Sequence, residues 1–189
     1  MKTYNIVLLP GDGVGPEVTA VARDVLATVG EVHGRNFEFE IHSLGGAAID
    51  ATGDPLPQKT IQACRTSDAV FLGAVGGPKW DGGAKRPEQG LLGLRKELGL
   101  FANIRPVRIY PDLIHRSPLK REFIEGVDFV VFRELTGGLY FGDRVRNDNY
   151  ASDQCVYTSG EIERIARAAF GAARAPRQSH IGRQSQRAR

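Results

Sequence analysis

The sequence predicts an α/β fold with a largely parallel sheet, and two kinds of segment support this prediction. Two continuous apolar runs, residues 5–9 and 68–75, have the pattern of strands that are buried on both faces. Between them, apolar residues recur at helical spacing up to about residue 29, and residues 59–65 are predicted to form a second helix. Strands that alternate with helices in this way are typical of a parallel sheet covered by helices.

The other segments extend this pattern. Residues 37–42 alternate as a strand with one solvated face, and the glycine-containing residues 45–50 are predicted to be a loop. A helix with leucines spaced by three and four residues is expected to end at Gly99. Further elements are predicted as strands at residues 100–104, 107–110 and 127–134, and as a helix at residues 162–170 with Ser159 as its N-cap.

The glycine-rich turn after the first strand does not predict a Rossmann fold. Gly11, Gly13 and Gly15 form G-x-G-x-G, but the dinucleotide-binding fingerprint requires G-x-G-x-x-G, and Pro16 occupies the position after Gly15. No Lys-Ser or Lys-Thr pair follows, so a P-loop is not predicted either.

Size and composition limit the class of protein. A chain of 189 residues with 41% hydrophobic residues is enough for one good domain or two small ones, and we expect a boundary near residue 100. No apolar run approaches the length of a membrane span, so a membrane partner is not expected. Cys64 and Cys155 are far apart without metal-ligand spacing, which predicts reduced thiols in a cytoplasmic protein.

The net charge of +3 comes from the C-terminal tail. Residues 171–189 contain five arginines and no acidic residue, whereas residues 1–170 carry 20 basic and 22 acidic side chains. The tail has no aromatic residue on which a base could stack, so nucleic acid is not an expected partner.

Residues 76–88 show neither helical nor strand periodicity and follow a predicted buried strand. Open α/β sheets bind ligands at the carboxyl ends of their strands, so this segment is a candidate binding loop. The alternative is a mobile surface loop anchored by Trp80.

Four stretches of the chain are distinctive: Leu-Leu-Pro-Gly-Asp-Gly-Val-Gly-Pro-Glu-Val at residues 8–18, Leu-Leu-Gly-Leu-Arg-Lys at 91–96, Leu-Phe-Ala-Asn-Ile-Arg-Pro at 100–106, and the segment from Glu161 to about Phe170. They resemble the 3-isopropylmalate dehydrogenase family of NAD-dependent oxidative decarboxylases in leucine biosynthesis. The resemblance implies the two-domain isopropylmalate dehydrogenase-like fold, here incomplete. Residues 1–100 would belong to the nucleotide-side domain and residues 101–170 to the substrate and dimer domain.

The resemblance implies three arginines that bind a substrate with two carboxylates, namely Arg95, Arg105 and Arg133. Guanidinium groups suit this role because they pair with carboxylates through two parallel hydrogen bonds. The alternatives are solvated arginines and, for Arg133, an ion pair with Glu134 or Asp128.

Three further roles are implied around the substrate. Leu91 and Leu92 would form an apolar wall for the isopropyl group, because such a wall leaves the third carboxylate of isocitrate without partners. Tyr140, in a glycine-flanked segment, would protonate the enol formed by decarboxylation, with a core tyrosine as the alternative. Glu88 would lie near both nicotinamide and substrate, with a solvated carboxylate as the alternative.

For the cofactor, the resemblance assigns NAD contacts to one continuous stretch, namely Gly77, Pro78, Lys79, Trp80, Asp81, Gly82, Gly83, Ala84, Lys85, Arg86, Pro87 and Glu88. The family also uses Mg²⁺ or Mn²⁺ as a Lewis acid on the ketone oxygen. Its lysine base and aspartate metal ligands are expected beyond the matched stretches, so no metal ligand is assigned in this chain.

The tail from about residue 171 departs from the family. When residues 179–189 are back-translated and read one base later, chosen codons give Val-Thr-Ser-Val-Asp-Lys-Ala-Asn-Val-Leu, which is family sequence. We therefore expect a frameshift between residues 171 and 178 and a disordered tail. The chain would then lack the second half of the enzyme, with open sheet edges, exposed apolar faces, instability or aggregation, and no measurable dehydrogenase activity.

Alternative functions remain at this point. One is a non-catalytic remnant that binds NAD or a dicarboxylate weakly, or that pairs with an intact subunit in place of the family's homodimer. The other is a related decarboxylating dehydrogenase acting on tartrate, malate or homoisocitrate, which Leu91 and Leu92 disfavour without excluding it.

Overall fold

The computed structural model describes residues 2–174, which form two compact units: unit 1 ends at Gly99 and unit 2 begins at Leu100. Unit 1 contains, in order, β1 (Thr3–Gly11), α1 (Gly15–His33), β2 (Asn36–Ile41), α2 (Gly46–Thr52), α3 (Gln58–Thr66), β3 (Ala69–Ala74) and α4 (Pro87–Glu97). Unit 2 contains β4 (Ala102–Arg108), α5 (Arg121–Ile124), β5 (Asp128–Glu134), β6 (Arg144–Arg146), β7 (Ala151–Asp153) and α6 (Ser159–Arg174). Short 3-10 helices occupy Pro78–Trp80, Pro111–Arg116 and Gly138–Tyr140.

Unit 1 is built on a parallel sheet with the strand order β2-β1-β3. The central strand β1 is the most buried, because helices and neighbouring strands cover its continuous apolar run; Val7, Leu8 and Leu9 are at most 2% exposed. The core cluster joins Val7 and Leu9 to Leu44, Cys64 and Leu94. The predicted α/β fold with a parallel sheet is confirmed.

Strand β3 differs from the expected strand buried on both faces. Its residues from Val70 to Ala74 are only half-buried, because β3 is an outer strand that pairs with β1 on one side among the described residues. The prediction from the continuous apolar run therefore overestimated how deeply this strand is buried.

Helix α1 has the predicted position, but only part of the expected apolar stripe is buried. Its buried residues are Gly15, Thr19 and Gly30, and small side chains there let the helix approach the sheet closely. Of the expected apolar stripe, Ala22 and Leu26 are half-buried, whereas its four valines are exposed, namely Val18, Val21, Val25 and Val29.

Helix α2 occupies the segment that was predicted to be a loop. Its N-terminus is capped from a distance, because the buried carboxylate of Asp12 accepts hydrogen bonds from the backbone N–H groups of Gly46 and Ala47 at 2.9 and 2.7 Å. The local sequence contains no such cap, so the loop prediction was wrong for a tertiary reason.

In unit 2 the two predicted strands at residues 100–104 and 107–110 are one strand, β4, which runs through Pro106. A proline is tolerated there because β4 pairs with a single partner among the described residues, the antiparallel β5. Both faces of this ribbon expose apolar side chains, including Ile104 and Val131. Among the described residues, this ribbon therefore has open edges and exposed apolar faces.

The N-terminus of α6 uses Thr158 as its cap, not Ser159. The Glu161 N–H donates to Thr158 Oγ1 at 3.3 Å and the Thr158 N–H donates to a Glu161 carboxylate oxygen at 2.7 Å, which is a capping box. The helix continues to Arg174, so residues 171–174 are helical where a disordered tail was predicted. The rest of that tail, with the predicted frameshift, lies outside the described residues.

Candidate active site

Two of the three candidate arginines share one face of the β4–β5 ribbon. Arg133 pairs across the ribbon with Asn103, and Arg105 follows Asn103 by two residues. Side chains two residues apart in a strand, and directly opposed across strands, lie on the same side of a sheet. Asn103 also accepts a hydrogen bond from Arg105 Nε at 2.6 Å. It thus orients a candidate binding residue, a role that its i−2 spacing from Arg105 could have indicated.

Arg133 and Tyr140 are in direct contact. Nη2 of Arg133 donates a hydrogen bond to the Tyr140 hydroxyl, and the guanidinium carbon lies 5.2 Å from the centre of the phenol ring. Both side chains are exposed to solvent. Two residues that the resemblance assigns to one substrate therefore lie together, with their polar groups accessible.

Glu134, the expected alternative partner of Arg133, is occupied by another arginine. Its carboxylate accepts hydrogen bonds from Arg164 on α6, from the N–H and hydroxyl of Thr136, and from the Gly137 N–H. Its side chain is only 7% exposed. Arg133 is thereby left to contact Tyr140.

The Glu134 carboxylate remains charged in this setting. Burial by itself raises the pKa of Glu134, but the hydrogen bonds from Thr136, Arg164 and Gly137 outweigh it and hold the pKa below the ordinary value. Arg164 also lies over the Phe101 ring at 4.9 Å. This cluster of α6 and the end of β5 fixes the loop that leads from Arg133 to Tyr140.

In unit 1, α4 carries four candidate residues on one face. The helix packs on the core through Pro87, Gly90 and Leu94. A different face carries, at spacings of three, four and seven residues, the side chains of Glu88, Leu91, Leu92 and Arg95. Leu91, Leu92 and Arg95 are half-buried and Glu88 is exposed. An acid, an apolar pair and a guanidinium are thus presented side by side.

The two ends of the candidate cofactor loop lie close together. A Cβ atom at Gly76 would lie 2.7 Å from a carboxylate oxygen of Glu88, so the two ends of the segment meet there. Pro87 and Glu88 are the first residues of α4 and not part of the irregular loop. From Asp81 to Arg86 the loop is exposed.

The loop residues fit an anionic nucleotide in part. Lys85 is exposed and forms no ion pair among the described residues, so its ammonium is available to a phosphate. Lys79 and Arg86 are paired with Asp50 and Asp81, at 2.6 and 3.7 Å. The glycines at positions 82 and 83 leave the backbone accessible.

No group of three or more His, Cys, Asp or Glu side chains that could hold a metal ion occurs in residues 2–174. The described residues therefore do not fit a Mg²⁺ or Mn²⁺ ion by themselves, and no reaction step is assigned to a metal here. Within the same residues, no helix is long and apolar enough to cross a membrane.

The comparison with known proteins identifies one family of dehydrogenases. The sequence profile of the family described as isocitrate/isopropylmalate dehydrogenase matches residues 5–183. The chain belongs to this family.

The related sequences agree with this assignment. Over 169 residues the chain is 55% identical to the 3-isopropylmalate dehydrogenase of Listeria monocytogenes serotype 4b (strain F2365), an alignment that covers 89% of this chain and 48% of the relative. It is also 55% identical over 183 residues to the 3-isopropylmalate dehydrogenase of Bacillus caldotenax, covering 94% of this chain and 50% of the relative. The chain thus spans about half the length of these curated relatives.

The fold agrees with solved structures of the same family. The isocitrate dehydrogenase from Methylococcus capsulatus matches with a TM-score of 0.73 and 32% sequence identity, over 90% of this chain and 48% of that one. The predicted isopropylmalate dehydrogenase-like fold is confirmed, in the incomplete form of a partial N-terminal region.

Proposed function

We propose that this chain supplies the substrate arginines and the cofactor loop of an enzyme that oxidatively decarboxylates 3-isopropylmalate to 4-methyl-2-oxopentanoate with NAD, a step of leucine biosynthesis. The contact between Arg133 and Tyr140, on the ribbon face that also carries Arg105, is the observation that supports this proposal most directly. It combines a carboxylate-binding group with a proton donor, which this substrate requires.

The ribbon residues have distinct tasks in this proposal. Arg105, oriented by Asn103, and Arg133 bind the substrate carboxylates through paired hydrogen bonds. Bound NAD would supply the hydride acceptor for the carbinol carbon, and the hydroxyl proton would pass to the lysine base that the resemblance assigns to the other half of the enzyme. The resulting β-keto acid would lose carbon dioxide, and return of that proton to the enolate oxygen would give the enol. Tyr140 then gives its hydroxyl proton to the enol carbon. The hydrogen bond from Arg133 holds the Tyr140 hydroxyl beside the carboxylate-binding guanidinium.

The α4 face supplies the remaining contacts. Arg95 is the third carboxylate-binding arginine, and Leu91 and Leu92 contact the isopropyl group. Both leucines are half-buried and therefore held by packing, yet part of each surface is open to a ligand. A third carboxylate placed against them would lose its hydration without gaining a partner, which costs more than the apolar contact contributes.

NAD is assigned to residues 77–88. The exposed Lys85 ammonium suits a phosphate, and Glu88 at the base of the loop suits the nicotinamide end. The Mg²⁺ or Mn²⁺ ion, the homodimer and the cytoplasmic location are carried over from the family resemblance as parts of the same proposal.

A second proposal concerns the 189-residue chain prepared by itself: it is a non-catalytic remnant. The relatives are about twice as long as the matched region, and the resemblance assigns the lysine base and the metal ligands to their other half. Exposed apolar faces on α1 and on the β4–β5 ribbon favour aggregation of this chain.

A chimaera tests both proposals. Residues 1–170 are joined to the part of the Listeria relative that lies beyond the alignment, and NADH formation from 3-isopropylmalate is measured with Mg²⁺ present. We expect turnover by the chimaera, none by the 189-residue chain, and loss of turnover in the chimaera with Arg133→Ala.

Three results would contradict the proposals. An inactive but folded chimaera would refute the substrate assignment, and so would full activity of the Arg133→Ala chimaera. Turnover by the 189-residue chain would refute the proposal that this chain is a non-catalytic remnant.

A further inference from the structure

The start of the loop at residues 76–88 is fastened to α2 by a buried carboxylate. Asp12 is 4% exposed, and the oxygen that caps α2 at Gly46 also accepts a hydrogen bond from the Gly76 N–H at 2.9 Å. One side chain therefore fixes two backbone segments against each other. Because a buried carboxylate needs hydrogen-bond donors, separating these segments would leave it unsatisfied.

A second carboxylate holds the loop one helical turn further along α2. Asp50 accepts hydrogen bonds from Lys79 Nζ at 2.6 Å and from Trp80 Nε1 at 3.2 Å. Asp50 follows Gly46 by four residues, so both positions lie on the same face of α2. The hydrogen bond with Lys79 is the main reason that the pKa of Asp50 lies below its ordinary value, and Asp50 is charged at neutral pH.

The indole of Trp80 packs on this same face. A Cβ atom at Gly46 would lie 2.2 Å from Cζ2 of Trp80, so the ring occupies the space that a side chain at position 46 would need. The Lys79 ammonium lies 5.2 Å from the centre of the ring. The ring is thus held by apolar contact on one side, by the Asp50 hydrogen bond at its edge and by a cation nearby.

From this arrangement we infer that Asp50 and Asp12 are positioning residues that hold the first part of the cofactor loop against α2 before NAD binds. The cofactor part of this inference rests on the proposed function; the attachment of the loop does not. Neither carboxylate needs to contact NAD. Their effect is to remove in advance the entropy cost of ordering the loop, which otherwise weakens binding.

Trp80 makes the attachment measurable, because it is the single tryptophan of the chain. In the 189-residue protein, acrylamide quenching of its fluorescence is compared between wild type and Asp50→Ala. We expect stronger quenching and a red-shifted emission in the variant, because the ring loses its hydrogen-bond acceptor and leaves Gly46. Asp24→Ala is the matched control, since Asp24 is an exposed helical aspartate that pairs with its neighbour Arg23.

Two further variants separate positioning from a general effect on folding. Lys79→Ala breaks the same contact from the loop side, without altering α2, and is expected to increase quenching as well. Asp50→Asn keeps an acceptor for Trp80 and should fall between wild type and Asp50→Ala. The thermal unfolding midpoint should be the same in Asp50→Ala and Asp24→Ala.

NAD titration of the same proteins completes the test. Losing the pre-set position of one loop side chain is expected to raise the NAD dissociation constant about 2- to 10-fold in Asp50→Ala and not in Asp24→Ala. Unchanged Trp80 quenching in both Asp50→Ala and Lys79→Ala would overturn the attachment. If quenching increases in the two variants but the wild-type protein binds no NAD, the attachment of the loop to α2 is supported and the cofactor role of the loop is refuted.

Discussion

In unit 1 the candidate residues of α4 lie on a helix packed against a buried core. In unit 2, by contrast, Arg133 lies on a two-stranded ribbon with exposed apolar faces, and Tyr140 follows that ribbon in the chain. Helix α4 is positioned by apolar contacts such as that of Leu94, which is 3% exposed. The loop after β5 is positioned by the polar cluster around Glu134 and Arg164. One protein therefore orders its two groups of candidate residues by different forces, and the two units should respond to different changes.

The largest expected effect is in the core of unit 1. Leu9→Ala should reduce the stability of unit 1 by about 2–5 kcal/mol, because it removes buried methyl groups and leaves a cavity. Urea unfolding followed by Trp80 fluorescence measures this loss, since the reporter lies in unit 1. Ile104→Ala, at a site that is 57% exposed in unit 2, is the control and should change stability by less than about 0.5 kcal/mol. Equal losses of stability in Leu9→Ala and Ile104→Ala would contradict the proposal that the two units are ordered by different forces.

Unit 2 should instead depend on the Glu134 cluster and on pH. Glu134→Gln should cost about 1.5–3 kcal/mol, because several donors lose a charged acceptor. The pKa of Glu134 is lowered on folding, so its stabilising contribution is complete above the ordinary glutamate pKa and is lost as pH falls through the lower folded value.

Hydrogen exchange of peptides from residues 128–142 measures this effect. Protection in wild type should decline below about pH 4.5, the ordinary glutamate pKa, and the Gln variant should be less protected above that pH. Identical pH profiles in the two proteins would show that another group controls the stability of this loop.

The apolar pair on α4 should affect catalysis more than stability. In the active chimaera, Leu92→Ser should lower kcat/KM for 3-isopropylmalate by about 10- to 200-fold, because a few buried methyl groups contribute about 1–3 kcal/mol. Leu98→Ser is the matched control: Leu98, at the C-terminal end of α4, packs against the core cluster and is not among the residues assigned to the substrate, so it should lower stability with less effect on the kcat/KM of the folded fraction. Unchanged kinetics in Leu92→Ser would place the isopropyl group elsewhere.

The smallest effect concerns the two thiols, one in each unit. Cys64 is buried in the core of unit 1, and burial raises the pKa of its thiol, whereas Cys155 is exposed in unit 2. A thiol reagent at neutral pH should label Cys155 rapidly and Cys64 only as fast as unit 1 opens. In Leu9→Ala the labelling of Cys64 should accelerate while that of Cys155 stays constant. Equal rates in wild type would contradict the packing of unit 1.

The sequence by itself determined the family, the parallel α/β order of unit 1 and the identity of the candidate residues. It could do so because continuous apolar runs, helical spacing and long motifs are local properties that survive without knowledge of contacts. The positions of Arg105 and Arg133 on one ribbon face also follow from strand periodicity, once their pairing register is known.

Tertiary structure decided the features that depend on partners distant in sequence. Helix α2 exists where a loop was expected, because Asp12, 34 residues earlier, caps its N-terminus. The same dependence on the rest of the fold holds for the Thr158 cap of α6, for Pro106 in strand β4 and for the exposed valines of α1. A helix cap, an edge strand and a packing face are each defined by the groups that they contact. From the sequence, Glu134 could have formed an ion pair with the adjacent Arg133. In the structure Glu134 instead binds Arg164 on α6, and Arg133 contacts Tyr140.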